Sequence, residues 1–107
     1  MSIQQLSPKD CSDLIAKNSN IQCIDVREHY EYELGNIGFT NIPMSETASI
    51  SEKFNPAQQT IIICRSGKRA EAVGNLLLKV FHFTEIIIVD GGLLAWKASI
   101  DPTIQLD

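Results

Sequence analysis

Apolar residues cluster along this chain in three short runs that predict buried β-strands. The runs are Ile21–Val26, Thr60–Ile63 and Glu85–Asp90, and they are apolar on both faces rather than alternating with polar residues. A strand with this pattern is covered by helices on both sides, as the strands of parallel sheets are. Ile3–Gln5 predicts a further short strand. The pattern therefore predicts an α/β fold with a mostly parallel central sheet.

Helical patterns occupy the stretches between these runs. Ser7 and Pro8 predict a helix start, because serine is a favoured N-cap residue and proline is tolerated at the first helical position. Ser45 is predicted to cap a second helix that runs to about Phe54. Shorter helices are predicted over residues 29–34 and 93–99. Residues 35–43 are predicted to form a loop with a short extended piece, and residues 101–107 are expected to be frayed or lightly docked.

The longest predicted helix begins at about Lys68 and ends at about Phe81. Apolar residues recur there at helical spacing, which predicts one buried face. The residues of that face are Ala70, Val73, Leu76, Leu77 and Val80. The length of the chain is within the usual range of one domain, so residues 1–107 are expected to form a single domain. Because each strand is followed by a helix, helices are expected on both faces of the sheet.

Composition and charge disfavour two classes of protein, nucleic-acid binders and membrane proteins. The chain has 107 residues, 44% of them apolar, and a formal net charge of −4. An acidic balance disfavours a general nucleic-acid binder, whose binding surface is basic. No apolar run approaches the roughly 18 residues of a membrane span, and the first residues lack the pattern of a secretion signal. We therefore expect a cytoplasmic protein, acting as a monomer, without nucleic-acid or membrane partners.

The three cysteines are Cys11, Cys23 and Cys64. Their odd number and unequal spacing suggest neither a disulfide framework nor a zinc site. Cys11 and Cys23 fall within an apolar helix face and an apolar strand, and both are interpreted as core thiols. Cys64 differs, because it follows a buried strand and precedes a helix.

The stretch from Thr60 to Ala70, TIIICRSGKRA, carries the chemistry. A thiolate, not a thiol, is the nucleophile of a reactive cysteine. The unpaired N–H groups and positive dipole of a helix N-terminus stabilise such an anion, and nearby cations add to the effect. Cys64 is therefore the predicted catalytic residue. The residues predicted to bind an anionic substrate around it are Arg65, Ser66, Gly67, Lys68 and Arg69.

Two further segments are predicted to meet this loop. The carboxyl ends of parallel strands lie at one edge of a sheet, where ligands bind. Asp25–Arg27 and Asp90–Gly92 follow the other two predicted strands, so all three segments should share this rim. Asp25 and Arg27 either bind and orient the cysteine loop in a supporting role, or form only a local salt bridge or turn bond.

Three motifs in this order resemble the single-domain rhodaneses, a family of sulfurtransferases. They are Ile24–Glu28 (IDVRE), Cys64–Ala70 (CRSGKRA) and Asp90–Trp96 (DGGLLAW). The resemblance covers nearly the whole chain and implies a three-layer fold with a sheet of about five strands. One segment departs from the family pattern: in residues 35–43 Asn36 replaces the usual histidine, and one residue, a proline, is missing.

The resemblance implies transfer of a sulfane sulfur through a persulfide on Cys64, a reaction for which no metal and no organic cofactor are expected. The expected donor is a small anion such as thiosulfate, and the expected acceptor is a thiol or a protein cysteine. Arg69 is expected to matter more for donor use than for stability. The alternative is a slow or non-enzymatic sulfur-carrier or protein-binding module. A cysteine phosphatase or arsenate reductase is less consistent, because its C-x5-R loop needs arginine where this chain has Ala70.

Overall fold

The computed structural model of the protein describes residues 2–107. Five parallel strands form one sheet in the order β1-β5-β4-β2-β3. The fold class predicted from the apolar runs is confirmed. In chain order the elements are β1 (Ser2–Leu6), α1 (Pro8–Lys17), β2 (Gln22–Asp25), α2 (His29–Leu34), β3 (Thr40–Asn41), a 3-10 turn (Met44–Glu46), α3 (Thr47–Lys53), β4 (Thr60–Ile63), α4 (Lys68–Lys79), β5 (Glu85–Val89) and α5 (Gly92–Ser99).

Successive strand residues enter two different cores, which explains why the strands are apolar on both faces. The first core lies on the face that carries Ile62 and Ile88, which pack with Leu77 of α4. The second core lies on the opposite face, where Ile61 and Ile87 pack with Leu93 of α5. Burying an isoleucine side chain contributes roughly 1.5–3 kcal/mol. The two cores therefore hold the sheet between its helical layers.

The start of α1 is the one predicted from the sequence. Ser7 precedes the helix, and its Oγ accepts a hydrogen bond of 3.1 Å from the backbone N–H of Asp10. The start of α3 differs from the prediction. Ser45 lies inside the 3-10 turn, and α3 begins only at Thr47, whose hydroxyl instead donates to the Met44 carbonyl at 2.6 Å. The tight turn thus replaces the predicted serine cap.

The buried face of α4 also differs from the prediction. Leu76 and Val80 are 42% and 52% exposed, and α4 ends at Lys79 rather than at Phe81. The reason is a glycine on the inner side of the helix. A Cβ at Gly74 would lie 2.9 Å from side-chain atoms of both Ile86 and Ile88. Because α4 approaches the sheet at Gly74, the helix face directed toward the sheet is the one that carries Ala70, Val73, Gly74 and Leu77.

Residues 101–107, called the docked segment below, pack against the domain. Ile104 is 5% exposed, and both Ile104 and Leu106 join the second core. The backbone of Gln105 runs so close to Gly35 that a Cβ on this glycine would lie 2.3 Å from the Gln105 carbonyl oxygen. Within residues 2–107, no helix is long and apolar enough to cross a membrane.

Residues 35–43, where the chain departs from the family pattern, contain a turn around Asn36 and the predicted short extended piece, which is β3. The Asn36 side chain donates to the Tyr32 carbonyl at 3.0 Å and accepts from the Gly38 N–H at 2.8 Å. Gly38 adopts a φ of +86°, a conformation that glycine reaches without steric cost. Asn36 thus closes the turn locally, and β3 follows it.

Candidate active site

Cys64 stands between β4 and α4, at the carboxyl edge of the sheet. Its residue is 1% exposed and contributes to the first core. The sulfur nevertheless points into the loop: Sγ accepts hydrogen bonds from the backbone N–H groups of Gly67 at 3.0 Å and Ala70 at 3.4 Å. N–H groups at a helix N-terminus favour a negative charge. The geometry is that of a cysteine held among anion-stabilising amides.

The backbone of the cysteine loop, residues 64–69, depends on Gly67. Gly67 is the N-cap of α4 and has a φ of +106°, a conformation that side-chain-bearing residues rarely adopt. Space is not the constraint, because a Cβ there would meet its nearest neighbour, the Gly91 nitrogen, at 3.7 Å. Glycine is therefore needed for the turn that brings its own N–H to the sulfur.

The N-terminus of α5 binds the outer side of the cysteine loop. The N–H groups of Leu93 and Leu94 donate to the carbonyls of Cys64 at 2.9 Å and Arg65 at 3.0 Å. A Cβ at Gly92 would lie 2.5 Å from the Cys64 carbonyl oxygen. The absence of that Cβ lets α5 approach. These contacts hold the two carbonyls toward α5 while the Gly67 and Ala70 amides face the sulfur.

Arg69, predicted to bind substrate, forms an ion pair with Glu31 of α2. Its guanidinium donates to the two carboxylate oxygens at 2.7 and 2.9 Å, and the two side chains are 33% and 5% exposed. The Arg69 hydrogen bond lowers the pKa of Glu31, and the same contact raises the pKa of Arg69. Arg69 therefore carries a built-in counter-charge.

Glu31 is the functional-site residue that the sequence interpretation missed. Three glutamates, Glu28, Glu31 and Glu33, lie within six residues of chain. Glu28 and Glu31 cap each other's backbone at the start of α2, and Glu33 is exposed. The capping spacing could have indicated Glu31, but its pairing with Arg69 follows only from the packing of α2 beside the cysteine loop.

The other two cations of the cysteine loop differ from Arg69. The Arg65 Nη2 donates to the main-chain carbonyl of Asp107 at 2.7 Å, and its Nε lies 3.5 Å from the Asp107 carboxylate. Lys68 is exposed and has no hydrogen-bond or ion-pair partner among residues 2–107. Ser66, also predicted to bind substrate, is exposed at the tip of the loop.

Asp25 and Arg27, predicted as supporting residues, form a buried ion pair with each other. Arg27 is 1% exposed, and its Nη2 lies 2.9 Å from the Asp25 carboxylate. The same guanidinium donates to the carbonyls of Glu31 at 3.1 Å and Gly35 at 2.8 Å. The sequence left two alternatives for these residues, contact with the cysteine loop or a local salt bridge, and in the structure their side chains form the local salt bridge. Their link to the cysteine loop runs through α2 and Glu31.

The two remaining thiols lie on the sheet face opposite the cluster that contains Cys64: Cys11 is buried in the second core, and Cys23 is half-buried against it. Burial raises the pKa of Cys11 to about 12 and that of Cys23 to about 11. All three cysteines are free. In the described part of the chain, no three histidine, cysteine or acidic side chains are grouped so that they could hold a metal ion.

A model of the rhodanese-like domain matches residues 7–99, nearly the whole chain. The chain belongs to the rhodanese-like domain family. The crystal structure of a rhodanese-related protein from Thermoplasma volcanium is similar to this rhodanese-like domain with a TM-score of 0.79 and 26% identity, covering 97% of this chain and 99% of the other.

Two Bacillus subtilis relatives have names that refer to sulfur transfer. "Putative sulfurtransferase YtwF" is 29% identical over 103 residues, covering 95% of this chain and 98% of YtwF. "Putative sulfur carrier protein YrkF" is 30% identical over 96 residues, covering 89% of this chain and 51% of YrkF. The chain covers 29% and 31% of two larger curated relatives, one of them a tRNA uridine(34) hydroxylase of Protochlamydia amoebophila. The activities of those whole proteins do not carry over to this rhodanese-like domain.

Proposed function

We propose that this rhodanese-like domain is a sulfurtransferase that carries a sulfane sulfur as a persulfide on Cys64. The observation that supports this proposal is the position of the Cys64 sulfur. Sγ accepts hydrogen bonds from the backbone N–H groups of Gly67 and Ala70 at the start of α4. A thiolate in this position has the stabilisation that a cysteine nucleophile requires.

In the first half-reaction, the Cys64 thiolate attacks the outer sulfur of thiosulfate. A sulfur–sulfur bond forms at Cys64, the bond within the donor breaks, and sulfite leaves with that bond's electron pair. The product, a persulfide anion, carries the same single charge as the original thiolate. Amides that already point at the sulfur stabilise charge without having to reorganise during the reaction. Lys68, exposed at the loop, supplies a cation that attracts the anionic donor.

In the second half-reaction, an acceptor thiolate attacks the outer sulfur of the persulfide. The sulfur leaves with the acceptor, and Cys64 returns as a thiolate. The acceptor must come from outside the chain, since Cys11 and Cys23 lie in the core on the other sheet face. The proposed acceptor class is therefore a thiol or a cysteine of another protein, with cyanide as its laboratory substitute.

Two alternative functions differ in their support. A sulfur carrier with slow turnover is consistent with a Cys64 residue that is 1% exposed, because a shielded persulfide is protected from adventitious thiols. Phosphate chemistry is disfavoured, since a C-x5-R loop requires an arginine at residue 70. The residue there is Ala70, which is fully buried.

The test is to treat the protein with thiosulfate, measure its mass, and assay sulfur transfer to cyanide. We expect the parent to gain one sulfur atom and to turn over, and the Cys64→Ser variant to do neither. Cys23→Ser is the matched control, because it removes a thiol on the opposite sheet face. Adduct formation without turnover would indicate a carrier, and absence of both in the parent would refute the proposal.

A further inference from the structure

The strand β1 lies at one edge of the sheet, with β5 on one side and no strand of residues 2–107 on the other. An edge strand presents backbone N–H and C=O groups that can pair with another chain, and many proteins block such edges with charged side chains or proline. Ser2–Leu6 contains neither. The opposite edge is β3, which has only two residues. Of the two edges, β1 is therefore the one suited to pairing.

The hydrogen bonds to β5 show which residues of β1 direct their backbone groups outward. The Ser2 N–H donates at 2.7 Å and the Leu6 carbonyl accepts at 2.8 Å in bonds to the residues that flank β5. The N–H and C=O of successive residues in a strand point to alternate sides. The backbone groups of Ser2, Gln4 and Leu6 therefore face β5, and those of Ile3 and Gln5 point away from the sheet.

The outer side of β1 borders a groove that is open to solvent. The Ile3 side chain packs against the first core, and the Gln5 amide donates to the Glu71 carboxylate of α4 at 3.2 Å. The groove between β1 and α4 has a volume of about 230 Å³ and is lined by Ile3, Gln4, Gln5, Glu71 and Asn75. Gln4 and Gln5 are exposed. A second strand could therefore reach the outward backbone groups.

β1 is complementary to a second copy of itself in an antiparallel register centred on Gln4. Opposite residues of a hydrogen-bonded antiparallel pair exchange both of their backbone hydrogen bonds. When the two Gln4 residues lie opposite each other, Ile3 of each copy lies opposite Gln5 of the other. This register pairs every outward N–H and C=O of Ile3 and Gln5. The two Gln4 residues then form a non-hydrogen-bonded pair, with Cα atoms about 4.5 Å apart.

We infer that two copies of this chain associate through β1 and join their sheets into one. The partner that this edge fits is thus another copy of the chain, and the inference does not depend on the proposed function. Antiparallel pairing directs the carboxyl edges of the two sheets in opposite directions, so each Cys64 loop keeps its own surroundings. From the sequence we expected a monomer, because no local pattern shows which strand lies at an edge.

The association should be weak, because one pair of short strands is a small interface and small interfaces give transient complexes. We expect a dissociation constant of about 0.1 mM. Sedimentation equilibrium of the full chain at low salt, over about 10 μM to 1 mM, covers this range.

The test places a charge at the centre of the proposed register. Gln4→Lys and Gln4→Glu each put like charges directly opposite one another, which destabilises a strand pair, whereas their equimolar mixture puts opposite charges there. We expect each variant alone to raise the dissociation constant about three- to tenfold, and the mixture to return it to within about threefold of the parent. Asn20→Lys and Asn20→Glu are the matched controls, because Asn20 is an exposed amide outside β1, and both should associate as the parent does.

Gln5→Pro tests the backbone pairing itself. Proline removes the outward N–H of Gln5 and leaves the hydrogen bonds of β1 to β5 in place, so the dissociation constant should rise at least about fivefold. Urea unfolding shows whether this variant is folded, and if it is not, the Gln4 variants decide. A parent that stays monomeric at about 1 mM would overturn the inference. So would dimers that resist both charges at Gln4, or a mixture that associates no better than its components.

Discussion

At the scale of single residues, the ion pair between Arg69 and Glu31 links the cysteine loop to α2. It joins a partly exposed guanidinium to a carboxylate that is 5% exposed. Removing one partner of a buried pair costs more than the pair itself contributes, because the remaining charge loses both water and its counter-ion. Arg69 is therefore expected to contribute to stability as well as to the site, and the expectation from the sequence that donor use dominates stays a prediction.

Arg69→Ala should destabilise the protein by about 1–3 kcal/mol, a buried-pair cost reduced for the partial exposure of Arg69. Arg69→Lys should lose less, because it keeps the charge but not the two-pronged contact. Urea unfolding of the three proteins measures the difference. A loss of stability below about 0.5 kcal/mol, together with a large rise in KM for thiosulfate, would confirm the prediction from the sequence that Arg69 serves donor use more than stability.

Glu31 should make the stability of the fold sensitive to acid. Its pKa is lowered in the folded protein, chiefly by the Arg69 hydrogen bond, so folding favours the ionised carboxylate. This contribution is complete above the ordinary glutamate pKa of about 4.3 and is lost as the pH falls through the lower folded value. Glu31→Gln should be less stable than the parent at pH 7, and the gap should narrow below about pH 4.3.

The control for this pH dependence is Glu33→Gln, which removes an exposed glutamate from the same short helix. Its free energy of unfolding should follow that of the parent between about pH 3 and pH 7, since surface substitutions usually change stability by less than about 0.5 kcal/mol. A constant gap between Glu31→Gln and the parent across this range would show that the charge of Glu31 is not what stabilises the fold.

At the scale of elements, the cysteine loop is shaped by the helix on each side of it. The first turn of α4 supplies N–H groups to the sulfur, and the first turn of α5 supplies N–H groups to the loop carbonyls. The first amides of a helix have no intrahelical partners, which makes both ends available for such contacts. The close approach of α5 depends on Gly92, which has a φ of +59°.

Gly92→Ala should both destabilise the protein and reduce sulfur uptake. The new Cβ would lie 2.5 Å from the Cys64 carbonyl oxygen and 2.6 Å from that of Arg65, so α5 must shift and release the loop. Left-handed conformation alone costs a non-glycine residue about 1–2 kcal/mol, and the steric overlap should add to this. Urea unfolding and the mass of the thiosulfate-treated protein measure the two effects.

Gly38→Ala provides the matched control, because it has the same backbone requirement without the overlap. Gly38 has a φ of +86°, and nothing lies within 4 Å of a Cβ placed there. It should therefore show the conformational cost alone and keep its sulfur uptake. If the two variants lose the same stability and both take up sulfur normally, the contact of α5 with the loop does not shape the site.

At the scale of the whole molecule, the sheet separates the thiols. Cys64 belongs to the cluster on one face, while Cys11 and Cys23 belong to the cluster on the other. Burial raises the pKa of Cys11 to about 12 and of Cys23 to about 11, which keeps both as unreactive thiols at neutral pH. We therefore expect Cys64 to be the thiol that reacts with the proposed sulfur donor.

Treatment with excess thiosulfate at about pH 7.5 should add one sulfur per chain, located on Cys64 by peptide mass analysis, because Cys11 is buried, Cys23 is half-buried and burial raises the pKa of both thiols. The same treatment followed by alkylation in urea should label Cys11 and Cys23 as free thiols. Sulfur found on Cys11 or Cys23 of the folded protein would contradict the separation by the sheet.

The sequence by itself determined the parallel sheet, most helix positions and the identity of Cys64 as the candidate nucleophile. These features follow from local patterns: apolar runs, a proline and serine at a helix start, and a cysteine between a strand and a helix. Which apolar residues at α4 are exposed did not follow from such patterns. Helical spacing placed Leu76 and Val80 with the core residues, and the approach permitted by Gly74 turned them outward.

Only the tertiary structure decided which partners the cations of the cysteine loop have. Arg69 meets Glu31 across 38 positions of chain, and Arg65 meets Asp107 across 42. Such pairs depend on how α2 and the docked segment pack beside the loop, and no local spacing encodes that packing. Three cations that look alike in the sequence thus have different surroundings: Arg69 has a buried counter-charge, Arg65 has an exposed one, and Lys68 is exposed to solvent. The sequence determines the charge of each residue, whereas the fold determines which opposite charge lies beside it.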